Sequence, residues 1–302
     1  MMLTVPAAFT LAIPTQLAQS ADVSATVDWL HAIDRVIIGL SLALGLALFF
    51  ALRRAQPGQG LLALPVRRHR LLPTDLVWIA TCYFLAAYVC LALLIPEGKD
   101  STASPLGAIL SSNVAQLSGG IACLVIVARR FRGGVGPFLL GQGSGTFVPV
   151  AVITILAMGW CPLVLAGTVM LITALSPDII LPEHSTLQSL EDTSAPQVQW
   201  FLWIGAAVVA PVCEELFFRG ILQSFLFREL RRRGLAIVMT AGAFALVHMS
   251  VAQTLPALFL MGVLLGVLYE RTGSVVSVMA VHALFNIKTL VWHHLVSSGA
   301  AG

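Results

Sequence analysis

The chain has 302 residues, 58% of them hydrophobic and 10% charged, with a mean hydropathy of +0.92. That composition excludes a water-soluble domain and specifies an all-α, polytopic integral membrane bundle. The net charge of +3 argues against a nucleic-acid partner, because the basic residues gather where apolar stretches end and membrane topology accounts for them.

Residues 1 to 21 are mildly apolar, interrupted by Pro6 and Pro14, and lack the basic start of a secretory signal. They read as part of a non-cytoplasmic tail over 1–35 or as an interfacial segment, with Ala18-Gln-Ser-Ala21 leaving a cleaved signal open. About eight spans follow: Val36–Leu52, Leu76–Ile95, Leu106–Ala128, Val148–Leu175, Val198–Phe227, Leu235–Met249, Leu255–Tyr269 and Val275–Val296. The sixth and seventh are short. The chain therefore divides into a four-helix scaffold over 36–175, an acidic external loop over 176–197, a C-terminal bundle over 198–296 and a tail over 297–302.

Charge in the connections sets the orientation. Arg53, Arg54, Arg67, Arg68 and Arg70 follow span one, Arg129, Arg130 and Arg132 follow span three, Arg228 and Arg231 to Arg233 follow span five, and Arg271 follows span seven. The other connections carry Glu97, Asp100, Asp178, Glu183, Glu191 and Asp192, with Lys99. This alternation places the basic loops in the cytoplasm and both termini outside, in a prokaryotic inner membrane. The glycine-rich stretch from Gly133 to Gly145 lacks the strand and the Lys-Ser/Thr ending of a phosphate cradle and reads as a connector. Trp29, Trp160, Trp200, Trp203 and Trp292 are assigned to aromatic belts. Cys82, Cys90, Cys123, Cys161 and Cys213 lie in apolar segments without CxxC spacing, as small buried side chains rather than disulfides or ligands.

Ionisable side chains concentrate in the C-terminal half. In Ala210-Pro-Val-Cys-Glu-Glu-Leu-Phe-Phe-Arg-Gly220, Glu214, Glu215 and Arg219 stand inside an otherwise apolar run, where a charge is costly unless it is paired or faces water. Glu215 and Arg219 are an i,i+4 pair with the acid first, the favourable order. On a straight helix Glu214 points roughly 100° away from Glu215, which leaves it as the spare carboxylate. The competing reading is a three-charge cluster that only fixes helix packing. Phe244 and His248 in span six, and His282 and Asn286 in span eight, are further i,i+4 pairs. Asn113 and Gln116 of span three are candidates for a substrate-facing wall, Lys288 reads as a snorkelling side chain ahead of one that helps bind a carboxylate, His293 and His294 read as interfacial, and Cys213 is not expected to be a nucleophile.

The three motifs Glu-Glu-x-x-x-Arg, Phe-x-x-x-His and His-x-x-x-Asn, in this order on apolar helices between Ala210 and Asn286, resemble the CPBP family. These are intramembrane proteases related to type II CAAX prenyl proteases and formerly grouped with bacteriocin-immunity proteins. The resemblance implies a membrane endopeptidase whose partners are the lipid bilayer and a membrane-anchored peptide or protein substrate. It implies Glu214 as the base that activates water, His248 as its helper, His282 and Asn286 on the oxyanion side, and Glu215, Arg219 and Phe244 as support. One divalent metal, zinc, held by Glu214, His248 and His282 stays open beside a metal-free mechanism, since no His-Glu-x-x-His pair is present. A transporter or proton relay, or a non-catalytic scaffold, are the rival readings.

Overall fold

The computed structural model describes residues 21–54, 69–94, 105–141, 147–179, 181 and 195–300. The expectations for residues 1–20, for Arg67, Arg68, Glu97, Lys99, Asp100, Glu183, Glu191 and Asp192, and for the end of the glycine-rich stretch lie outside them. The elements are α1 (Ala21–Arg54), α2 (Pro73–Leu94), α3 (Pro105–Arg130), the short α4 (Val135–Leu140), α5 (Phe147–Leu175), α6 (Pro196–Leu230), α7 (Arg233–Leu246), α8 (Leu255–Thr272) and α9 (Val275–Ala300). Among the described residues there is no strand, and one isolated bridge joins His69 to Phe131.

Among the described residues, seven helical stretches are long and apolar enough to cross a bilayer. The sixth expected span is not among them, because α7 has 14 residues and is about 21 Å long, short of a hydrocarbon core of about 30 Å. A 3₁₀ turn over Met249–Thr254 follows it, and Pro256 in the first turn of α8 starts a new helix rather than extending the old one. Arg233 Nε lies 3.7 Å from Glu270 Oε2, so the start of α7 and the end of α8 share one side and the pair is an antiparallel hairpin.

The helix expected as one regular rod over 198–227 is also different. Within α6, Gly205–Val209 and Leu216–Gln223 are π-helical, and these wide turns flank the α-helical Ala210–Glu215. Turns of this kind are rare and recur at functional sites.

Without water between them, membrane helices associate through close packing and interhelical hydrogen bonds. Ser118 Oγ donates to Cys82 O at 3.1 Å and Ser111 Oγ to Ala87 O at 3.0 Å, which sets the register of α2 on α3. Ser41 Oγ donates to Ile155 O, and Trp160 Nε1 donates to Ser41 O at 3.3 Å, which ties α1 to α5. Trp160 is thus an interhelical donor in the middle of α5, not part of a belt, because its indole N–H needs a partner where no water is available. Lys288 Nζ meets Asp34 Oδ1 at 2.7 Å, and Trp292 Nε1 donates to Asp34 Oδ2 at 3.0 Å, joining α9 to α1. Of the two roles expected for Lys288, the carboxylate contact is the one observed, and the carboxylate is Asp34 of the same chain. The core draws on both halves of the chain: Val127, Ile221, Leu265, Leu268, Val275, Val278 and Val281 are fully buried in one cluster. Leu40, Leu46 and Phe50 of α1 and Phe84, Tyr88 and Leu93 of α2 stay exposed, as a lipid-facing surface would be.

Candidate active site

The site begins with a backbone defect in α6. Ala210 N–H donates to Gly205 O, five residues back, which is the π register. The next amide in that register belongs to residue 211, which is proline and has no N–H. Ala206 O would be left without a donor in a place where an unmet carbonyl is costly. Asn286 Nδ2 of α9 donates to it at 2.8 Å. The asparagine of the His-x-x-x-Asn motif thus repairs the gap that Pro211 opens, and its amide keeps one further N–H for another acceptor. Asn113 packs on the same wide turn: its Nδ2 lies 3.4 Å from Phe201 O, and a Cβ on Gly205 would come within 2.6 Å of its Oδ1.

Glu215 and Arg219 are both fully buried, and Arg219 Nη1 lies 3.2 Å from Glu215 Oε2 and 3.3 Å from Oε1. Arg219 Nη2 also donates to Gly262 O at 3.2 Å. That carbonyl is reachable because Gly262 lets α8 close on α7, where a Cβ would meet Ala241 Cα at 2.9 Å. His282 Nδ1 lies 2.7 Å from Glu215 Oε1, and an ionised carboxylate only accepts, so the ring donates. Phe244 is buried at the centre: its ring takes the Arg219 guanidinium at 4.9 Å and touches the rings of His248 at 5.1 Å and His282 at 5.7 Å. Glu215 is consequently held by two partners rather than the one expected from the sequence. The tie from His282 was missed because spacing along one helix says nothing about a residue 67 positions away.

His248 lies in the turn that follows α7, and its Nδ1 donates to Phe244 O in the last turn of that helix at 2.8 Å. Both imidazoles therefore have Nδ1 occupied and turn Nε2 free for other work, with a lone pair there when the ring is neutral. Glu214 is half-buried and accepts no hydrogen bond among the described residues, while His282, His248, Glu215 and Arg219 surround it electrostatically. Two adjacent glutamates thus have opposite circumstances. Glu215 is hydrogen-bonded at Oε1 by Arg219 and His282, with only the ionic contact to Arg219 at Oε2, and Glu214 has no hydrogen bond among the described residues.

As they stand, no three His, Cys, Asp or Glu side chains among the described residues converge as a metal-holding set. The Glu215–His282 contact is of the kind that orients a metal-bound imidazole, yet it equally orients an uncoordinated one. Cys213 is buried against α3, where a Cβ on Gly120 would meet its Sγ at 2.8 Å. The Gln116 Oε1 atom is buried without a hydrogen-bond partner among the described residues. His294 packs edge-on to Trp203 at 6.0 Å, away from this cluster. A residue that sequence reading did not single out, Tyr83 of α2, is also an electrostatic neighbour of Glu214.

The fold defines an all-α, multi-pass membrane protein in which Glu214 of α6 has His248, just past α7, and His282 of α9 as electrostatic neighbours. Residues 196–288 match the model of the family described as type II CAAX prenyl endopeptidase Rce1-like, which bears out the resemblance drawn from the three motifs. That family is one of proteases. The chain is also 25% identical over 114 residues to the UPF0177 protein YbdI of Lactococcus lactis, an alignment covering 38% of this chain and 60% of that relative. No solved structure matches.

Proposed function

We propose that the protein is an intramembrane endopeptidase that hydrolyses a peptide bond in a membrane-anchored peptide or protein. The observation that carries this reading is the contrast within the Glu214-Glu215 pair. The second glutamate is ion-paired with Arg219 and hydrogen-bonded at Oε1 by Arg219 and His282, whereas the first has two imidazoles as electrostatic neighbours and no hydrogen-bond partner among the described residues.

In this reading a water sits between Glu214 and the His248 Nε2 lone pair. Glu214 removes a proton as the water oxygen bonds to the substrate carbonyl carbon, then returns it to the leaving amine as the C–N bond breaks. The products are a new carboxylate and a new amine. The oxyanion of the tetrahedral intermediate takes the remaining N–H of Asn286 and, when the ring carries its second proton, His282 Nε2–H. Glu215 stands behind that ring as its counter-charge, so this glutamate supports the chemistry without touching the substrate. The proposed orientation keeps the basic connections on the cytoplasmic face of a prokaryotic inner membrane with both termini outside.

The test uses purified protein in lipid vesicles with a membrane-anchored peptide library read by mass spectrometry. Cleavage is expected from the wild type and lost in Glu214→Gln, with the variant folded as judged by its unfolding midpoint. Unchanged cleavage in Glu214→Gln removes the base and with it the mechanism. Metal analysis of the active protein with chelator treatment runs in parallel; full activity without bound metal is the expected result, and activity restored only by zinc favours the metal alternative.

A further inference from the structure

The N-terminal half delivers Tyr83 to the neighbourhood of Glu214, and its placement is specified by hydrogen bonds on either side. Ser118 Oγ to Cys82 O and Ser111 Oγ to Ala87 O lock α2 onto α3, so Tyr83 turns inward while Tyr88, five residues on, is 72% exposed. The ring of Tyr83 lies over Gly119, where a Cβ would be 3.4 Å from its Cδ2. The adjoining Gly120 receives Cys213, the residue before Glu214, with 2.8 Å between the Cβ position and Sγ. Two consecutive glycines of α3 thus dock an α2 phenol and the start of the Glu-Glu pair side by side.

The chemistry of the two groups is complementary. The Tyr83 hydroxyl has no hydrogen-bond partner among the described residues and is half-buried among helices, where a phenol O–H normally finds an acceptor. Glu214 is an acceptor without a donor. We propose that Tyr83 is a positioning residue for hydrolysis: its hydroxyl donates to the Glu214 carboxylate oxygen not facing the water, and so fixes which lone pair takes the proton. Hydrogen bonds of this kind are often long in the resting protein and tighten once substrate is bound. The inference rests on the proposed function, and it extends the site beyond the C-terminal segment that matches the protease family.

Tyr83→Phe keeps the ring on Gly119 and removes only the hydroxyl. Loss of a hydrogen bond to a charged group is expected to lower kcat about 10- to 100-fold, with KM and the unfolding midpoint unchanged. A packing role predicts the opposite: full activity in Tyr83→Phe, with losses only in Tyr83→Ala. Wild-type kcat in Tyr83→Phe, or a change in KM alone, overturns the proposal while a Glu214→Gln variant that stays inactive leaves the proteolytic reading standing. The juxtaposition is checked without activity by pairing Tyr83→Cys with Glu214→Cys in a chain whose native cysteines are alanine. A short bifunctional thiol reagent should link the two, and failure to link them at a rate above a Tyr88→Cys control overturns the placement. Should Glu214→Gln retain full cleavage, the base is lost and the role of Tyr83 falls with it.

Discussion

Asn286 offers the sharpest quantitative test, because the structure gives its amide a task that can be switched off from the other side. With Pro211 in place, Asn286→Ala leaves Ala206 O without a donor between helices, a loss of roughly 1–3 kcal/mol for an unmet polar group. Interhelical hydrogen bonds in membranes average nearer 0.6 kcal/mol, so about 1–2 kcal/mol is the expected cost. With Pro211→Ala, residue 211 regains an N–H in the π register and can serve Ala206 O itself. Asn286→Ala should then cost no more than about 0.5 kcal/mol, giving a coupling of roughly 1 kcal/mol between two residues 75 positions apart. Reversible unfolding in mixed micelles, run on the wild type, both single variants and the double variant, reads that coupling. Equal cost in the two backgrounds, within about 0.5 kcal/mol, refutes the argument that Asn286 repairs the proline gap. Cleavage measured on the same four proteins separates the two tasks of the amide: a double variant more active than Asn286→Ala alone marks the repair as dominant, and equal inactivity marks the free N–H as the part that matters.

Other outcomes follow from the same geometry. Glu215→Gln should destabilise the fold by about 3–5 kcal/mol, because it leaves a fully buried Arg219 without its counter-charge, whereas Glu214→Gln should leave the unfolding midpoint near that of the wild type. Gly120→Ala places a methyl 2.8 Å from Cys213 Sγ and should lower cleavage by displacing Glu214; Cys213→Ala removes that sulfur and should restore it, as measured by peptide turnover in vesicles. Lys288→Met should lower the unfolding midpoint by stranding Asp34, and adding Asp34→Asn should recover part of the loss without affecting cleavage, since the pair joins α1 to α9 away from the Glu214 cluster.

What the sequence by itself determined is the chemistry on offer and the helix that carries each part. A hydropathy pattern fixes where apolar spans lie, since the length of a span follows from the bilayer. The i,i+4 spacing of Glu215 and Arg219 fixes their pairing, since that contact lies within one helix. The same local logic placed Phe244 against His248.

Contacts between helices were beyond it. The tie of His282 to Glu215, the bond from Asn286 to Ala206 O, the pairing of Lys288 with Asp34 and the arrival of Tyr83 beside Glu214 each join residues far apart in the chain. None leaves a periodic trace. Pro211 was visible as a letter, but its effect depends on a π register that only packing selects, and the wide turn then exposes a carbonyl that a residue from another helix must meet. The short α7 was likewise decided by the hairpin it makes with α8, because a helix in a membrane needs to reach only as far as its neighbours and its functional tip require. Tertiary structure therefore decided which further partner, His282, joins the Glu215–Arg219 pair and which groups surround Glu214, and the physical reason is that desolvated charges and backbone groups take whichever partners the surrounding helices bring within reach.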